Sequence, residues 1–357
     1  MRGGSIELGL SALRLVVDCE ARSVKVGFLS RQFGHHGQHT GYHLLAARWR
    51  DDKAIYFPPG GTGQQDPRRT GVPVPWLNGL MQELAKRRIR STASRDRVDL
   101  LHVLYGEIDL PFPKLTVLQK LVATVHQPVS HLSRSQQRID QLKRQLQNVA
   151  LTIALSSEQK SFLQELLPGR RVEFVRHGVD TDFFVNPGCV RERTVLVSCG
   201  WYRDLELASR VLRELAGKDP GLRLKAYGGG APQLASASPR IEVMTGLSDE
   251  ELRREYCSCA LVFLPLKETV ANNALLEAMS CGTAIVAPTL PAVRDYLVET
   301  DTCYPRGSSP TDVAEFLHQL VERPGLDLPS TLRTRALEST WGEIARQMEA
   351  LYRTPCE

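Results

Sequence analysis

Short, wholly apolar segments alternate with segments of helical period along this chain, and the alternation runs through twice. In the first half, Val24–Ser30, Val98–Leu104, Leu121–Val125 and Leu151–Leu155 read as strands, with helical character over Tyr42–Trp49 and Ser135–Val149. Ile139, Leu142, Leu146 and Val149 recur at 3-4-3 spacing and form a core-facing stripe. In the second half, Thr194–Ser198, Leu222–Tyr227, Leu261–Pro265 and Thr283–Ala287 read as strands. Leu205–Leu215, Ser248–Tyr256 and Asn273–Ser280 read as helices, and Phe183–Gly188 as a linker between the halves. Strands apolar throughout are buried on both faces, which implies parallel sheets covered by helices on each side. The expectation is an α/β chain of two Rossmann-like, doubly wound domains with a ligand between them, at the C-terminal ends of the strands.

The chain has 357 residues, 45 Lys and Arg against 40 Asp and Glu, and a formal net charge of +5. The whole excess lies in Lys86–Arg97, which holds six bases and one acid; the rest has 39 of each. A neutral protein with one basic patch is not a general nucleic-acid binder. Leu77, Leu80, Met81, Leu84 and Arg88 place that patch at the C-terminal end of an amphipathic helix. There it either complements the helix dipole or meets an anionic membrane surface or acidic acceptor. The run Ala278–Val293 is broken by Gly282, Pro288 and Pro291 and is not a membrane span. Leu8–Val17 carries no small-residue cleavage site and is not read as a signal peptide. The eight cysteines show no C-x-x-C pair and read as reduced thiols of a cytoplasmic protein.

The first strand runs into Phe33–His43, where Gly34, Gly37 and Gly41 let backbone N–H groups approach an anion. This segment is neither a dinucleotide fingerprint nor a P-loop. His39 and His43 have the spacing of a zinc pair but no nearby carboxylate, so a substrate- or phosphate-facing loop and a plain structural turn both stand ahead of a metal site. His126 ends the run Leu121–Val125 before Pro128, at a strand's C-terminal end. The strongest constellation is Lys267–Gly282. Its loop carries Glu268, Asn272 and Asn273 and enters a helix with free N–H donors and Glu277 one turn inside. Such a site suits sugar hydroxyls at Glu268, a diphosphate at the N–H groups of Asn273 and Ala274, and a ribose at Glu277.

These residues resemble the retaining nucleotide-sugar glycosyltransferases of GT-B fold, family 4, also called glycosyl transferases group 1. Glu268–Gly282 is similar to the family's E-x7-E region followed by L-E-A-M-x-C-G, and His177–Phe184 to its N-G-V-D-x-x-x-F linker. Ile153–Ser157 resembles the strand closing the first domain, Val243–Leu252 the base-binding strand and following helix, and Thr340-Trp341 the start of a helix crossing back to the first domain. The resemblance implies an N-terminal extension over 1–22, an acceptor domain over 23–187, a donor domain over 188–336 and a crossover helix over 337–357. It implies sugar transfer from a nucleotide-diphosphate sugar to an acceptor hydroxyl with retention, without a metal or further cofactor. His126 is then expected near the donor sugar, Gly37, Thr40 and Gly41 near the diphosphate or acceptor, and Thr245 and Gly246 near the base.

Two departures stand out. Eight residues rather than seven separate Glu268 from Glu277, which puts Thr269 at the strict position of the first glutamate. The family's Arg…Lys pair becomes Gly200–Asp204, in which Arg203 supplies one guanidinium for the leaving diphosphate, and Lys267 is the substitute for the lysine on position alone. The altered spacing leaves open a catalytically weakened partner subunit, and the fold leaves open a sugar-nucleotide epimerase. Asp180-Thr181-Asp182 is a D-x-D but lies in the linker, where a metal–nucleotide role is not expected. The sequence names neither donor base nor acceptor.

Overall fold

The computed structural model describes residues 24–29, 37–49, 54–57, 98–110, 120–297, 302–323 and 328–353. The N-terminal extension and the basic segment Lys86–Arg97 lie outside these residues. Twelve described strands form two six-stranded parallel sheets.

The first sheet holds β1 (Val26–Leu29), β2 (Ala54–Phe57), β3 (Leu100–Val103), β4 (Lys120–Thr124), β5 (Leu151–Ala154) and β6 (Arg171–Phe174), in the order β2-β1-β3-β4-β5-β6. The second holds β7 (Glu192–Ser198), β8 (Arg223–Tyr227), β9 (Ile241–Met244), β10 (Cys259–Phe263), β11 (Ala284–Pro288) and β12 (Cys303–Tyr304), in the order β12-β11-β10-β7-β8-β9. In both, strand order reverses beside the first strand, so a crevice opens between β1 and β3 and between β7 and β10.

Burial follows the expected logic. Val195 and Val197 of β7 enter the core on one face and Leu196 the core on the other; Ile153 and Ala154 of β5 divide in the same way. Each sheet is therefore covered twice, which is why its strands carry no polar alternation.

The described helices of the first half are α1 (Leu44–Ala47), α2 (Gly106–Asp109), α3 (Val129–Leu132), α4 (Gln136–Leu146) and α5 (Ser157–Leu166). The second half has α6 (Leu205–Lys218), α7 (Asp249–Ser258), α8 (Asn273–Ser280), α9 (Pro291–Arg294), α10 (Pro310–Glu322) and α11 (Leu328–Leu337), followed by α12 (Trp341–Arg353). Starts are set locally. Ser135, Ser156, Asp204, Ser248, Asn272 and Ser309 each accept a backbone N–H three residues on, ahead of α4, α5, α6, α7, α8 and α10. The reading over Ser135–Val149 overruns: α4 ends at Leu146, and Val149 reaches the core from the turn beyond it. Helix α10 went unread although Ser309-Pro310 is a clear start signal.

Helix α12 leaves the second half and packs on the first. Its Trp341, Ile344, Met348 and Tyr352 join Val26, Phe28, Tyr42 and Leu100 in one apolar cluster. Inside it the Tyr352 hydroxyl lies 2.6 Å from His102 Nδ1, and Thr124 Oγ1 lies 2.8 Å from the other ring nitrogen. No described helix is long and apolar enough to cross a membrane.

Candidate active site

The loop after β7 and the loop after β10 meet at the second sheet's crevice. Arg203 and Leu266 form an antiparallel bridge, Lys267 N–H donates to Tyr202 O at 2.9 Å, and Asp204 N–H donates to Pro265 O at 2.6 Å. This pairing holds Tyr202 at φ 59°, in the left-handed region disfavoured for a bulky side chain. The Tyr202 ring meets His131 of α3 with centroids 6.3 Å apart, so the loop touches the first half of the molecule.

Arg203 is half-buried in the crevice. Its Nη2 lies 3.3 Å from Asn272 Oδ1 and 3.5 Å from Ser198 Oγ, and Nη1 donates to Trp201 O at 2.9 Å. Tyr227, Tyr256 and Cys199 are its other neighbours, and burial pulls its pKa down. Among the described residues no carboxylate pairs with it. Asn272 Oδ1 also accepts Leu275 N–H and caps α8, leaving the N–H groups of Asn273 and Ala274 without intrahelical acceptors beside the guanidinium.

Glu277 projects from α8 into a buried polar chain. Thr40 Oγ1 donates to its Oε1 at 2.8 Å, the Tyr256 hydroxyl donates to its Oε2 at 3.0 Å, and Tyr227 and Tyr256 hydroxyls lie 2.6 Å apart. It is 4% exposed, and burial pushes its pKa up to about 7. The sequence placed Glu277 near the helix N-terminus as an open hydroxyl acceptor; the structure brings it there with both oxygens occupied.

Thr40 belongs to the Gly37–Gly41 loop, which crosses to the second half. His39 N–H donates to Asp249 Oδ2 at 2.9 Å, His39 Nδ1 lies 2.8 Å from Asp180 Oδ2, and its ring stacks on Phe183. The first aspartate of the D-x-D is thus engaged by His39, with Arg48 Nη2 at 3.5 Å from its other oxygen. His126 stacks on Tyr105, and its Nε2 lies 2.7 Å from Leu104 O. Glu268 is half-buried, and burial raises its pKa; Thr269 turns its hydroxyl to Ala271 O, so Glu268 is the carboxylate this loop offers. The longer loop also reaches across: Val270 is buried in the apolar cluster of the first sheet. Lys267, Thr245 and Gly246 are exposed on loops at the C-terminal ends of β10 and β9, Gly246 at φ 68°.

Two features escaped the sequence reading. Glu107, in α2 directly after β3, is buried, accepts His126 N–H at 3.0 Å and has its pKa pushed up to about 7 by burial. Its place four residues beyond the end of β3 was the available signal. Gly228-Gly229-Gly230 follows β8, and a side chain at Gly230 would meet Cys199 O at 2.9 Å, so the two loops pack backbone to backbone beside Arg203. Three successive glycines after a strand were the signal there.

Residues 193–323, the greater part of the second half, match the family model described as glycosyl transferases group 1. No curated protein sequence matches the chain. Among solved structures, sucrose-phosphate synthase from Thermosynechococcus elongatus is similar at a TM-score of 0.65 and 16% identity, over 92% of this chain and 88% of that one. Anabaena HepE in complex with UDP and glucose is similar at 0.66 and 15%, over 93% of this chain and 100% of that one. TarM gives 0.61 and 13%, over 71% and 55%. Two parallel sheets covered by helices, with a last helix packed back on the first half, give the chain the GT-B fold of these structures, and the similarity to glycosyl transferases group 1 lies in residues 193–323.

Proposed function

We propose that this protein transfers a sugar from a nucleoside diphosphate sugar to an acceptor hydroxyl, with retention at the anomeric carbon and without a divalent cation. The observation that carries the reading is Arg203, a half-buried cation in the crevice that meets phenols, a thiol, a serine and an amide but no carboxylate among the described residues. Such a group gains most from a diphosphate whose charge grows as the glycosidic bond breaks. The N–H groups of Asn273 and Ala274 add donors at the positive end of α8. Cationic charge from a side chain and a helix end serves the leaving group, so neither metal nor further cofactor enters this reading.

In this reading Glu277 accepts ribose hydroxyls, the Thr245-Gly246 backbone faces the base, and Glu268 and His126 border the sugar from the two halves. Lys267 and the Gly37–Gly41 loop lie toward the diphosphate and acceptor. The acceptor hydroxyl enters on the face the diphosphate leaves and gives its proton to a departing phosphate oxygen. The family match of the second half supports donor binding there, and HepE, which is bound to UDP, supports UDP as the first nucleotide to try.

Calorimetric titration with UDP, GDP, ADP and TDP tests the donor site; no binding by any of them overturns the reading. Transfer followed by NMR of the product's anomeric proton tests retention, and inverted product removes that part. Loss of transfer in EDTA with recovery in Mg²⁺ or Mn²⁺ removes metal independence. Binding without turnover supports instead a weakened partner subunit.

The same proposal places the chain in the cytoplasm, in keeping with six described cysteines that are all free thiols. It gives Lys86–Arg97 a peripheral contact with anionic membrane, carried by its charge alone.

A further inference from the structure

We infer that Thr40 stands in for a ligand hydroxyl, and that the Gly37–Gly41 loop holds the donor site shut until nucleotide displaces it. The inference rests on the assignment of Glu277 to the donor site. Glu277 Oε1 accepts from Thr40 at 2.8 Å and Oε2 from Tyr256 at 3.0 Å. Tyr256 is fully buried and tied to Tyr227, so the position a ribose hydroxyl can take is the one Thr40 occupies.

That bond spans the cleft, from the first half's loop to α8 of the second. Three further contacts hold the loop there, and none of them is made to the sheet it belongs to. His39 N–H donates to Asp249 Oδ2 at 2.9 Å, at the first residue of α7. His39 Nδ1 lies 2.8 Å from Asp180 Oδ2. The His39 ring stacks on Phe183 with centroids 3.6 Å apart and planes 3° apart, and Arg253 lies over the same ring at 5.0 Å. Gly37 passes so close to α7 that a Cβ there would fall 1.8 Å from Asp249 Oδ1, so a side chain at this position would have to turn Asp249 away from its place beside the loop.

Two hydroxyls then compete for one carboxylate oxygen. The apparent affinity for nucleotide falls by the fraction of molecules in which the loop is seated. Thr40 and the His39–Asp249 contact tie a first-half loop to the second half, so donor arrival at Glu277 also loosens the loop's hold across the cleft.

The test is UDP binding by calorimetry to the full chain and to the variants Thr40→Val, Thr40→Ser and His39→Ala. Loss of one seating hydrogen bond in Thr40→Val is expected to tighten UDP binding about fivefold. His39→Ala, which loses the stack and the Asp180 contact, is expected to tighten it about tenfold or more, and Thr40→Ser, which keeps the hydroxyl, matches the wild type. UDP affinity unchanged or weakened in both Thr40→Val and His39→Ala overturns the inference and leaves the donor-site reading intact. Failure of every chain to bind any nucleoside diphosphate removes the donor-site reading itself.

Discussion

The oxygen of Asn272 that caps helix α8 also accepts from the guanidinium of Arg203, at 3.3 Å. One amide therefore starts the helix and aims the crevice's cation at the helix's free N–H groups. It is neutral, and that leaves the cation's charge available.

Replacing Asn272 by Asp separates these two roles. Aspartate caps as well as asparagine, so thermal stability is expected to hold or rise. A carboxylate against Arg203 neutralises it, and UDP affinity is expected to fall about tenfold or more, on the scale of a charged hydrogen bond lost. Calorimetry and a melting curve on the same sample check both.

Arg203→Ala removes a half-buried charge that meets no carboxylate among the described residues. Stability is expected to stay level or increase, since the cost of burying an unpaired cation disappears. Transfer is expected to drop roughly 10²–10³-fold in kcat, the loss seen when one preorganised donor to a developing negative charge is deleted. Equal kcat in wild type and variant assigns the leaving group to another cation.

Glu277 and Glu107 both have folded pKa values raised from 4.5 to about 7 by burial. Between these values the folded state holds protons that the unfolded state has released. Stability therefore falls as pH rises from about 4.5 to 7 and levels off above it. Each carboxyl is expected to contribute on the order of 2–3 kcal/mol to this fall. Urea denaturation of Glu277→Gln and Glu107→Gln at pH 5 and pH 8 checks it: each amide is expected to flatten the slope, and an unchanged slope refutes the assignment.

Tyr352→Phe leaves the buried His102 Nδ1 without its partner in the core that joins α12 to the first sheet. Burial holds His102 down at about 3, so the ring is neutral and its loss is that of one buried hydrogen bond. The expected cost is about 1–3 kcal/mol in urea denaturation, with UDP affinity unchanged because Arg203, Glu277 and the start of α8, which hold the nucleotide in the proposed reading, lie in the second half.

The sequence by itself determined the architecture, because uniformly apolar strands admit only a sheet buried on both faces, and this pattern occurs twice. It also determined α8 to the residue, since Asn272 and the apolar face of Leu275, Leu276 and Met279 are local signals. Arg203, Glu277 and the glycine loop were legible as residue types at strand ends. What only the tertiary structure decided is how they pair. Thr40 and Glu277 lie 237 positions apart in the chain, and no local pattern encodes a hydrogen bond between them. Glu107 shows the same limit: its carboxyl is perturbed by the α/β core closing around it, and burial of a polar group is a property of the packed whole. The extra residue after Glu268 is, in the sequence, a departure from the family's spacing. In the folded chain it lies in a loop that carries Val270 into the opposite core, a contact that exists only once the two halves face each other.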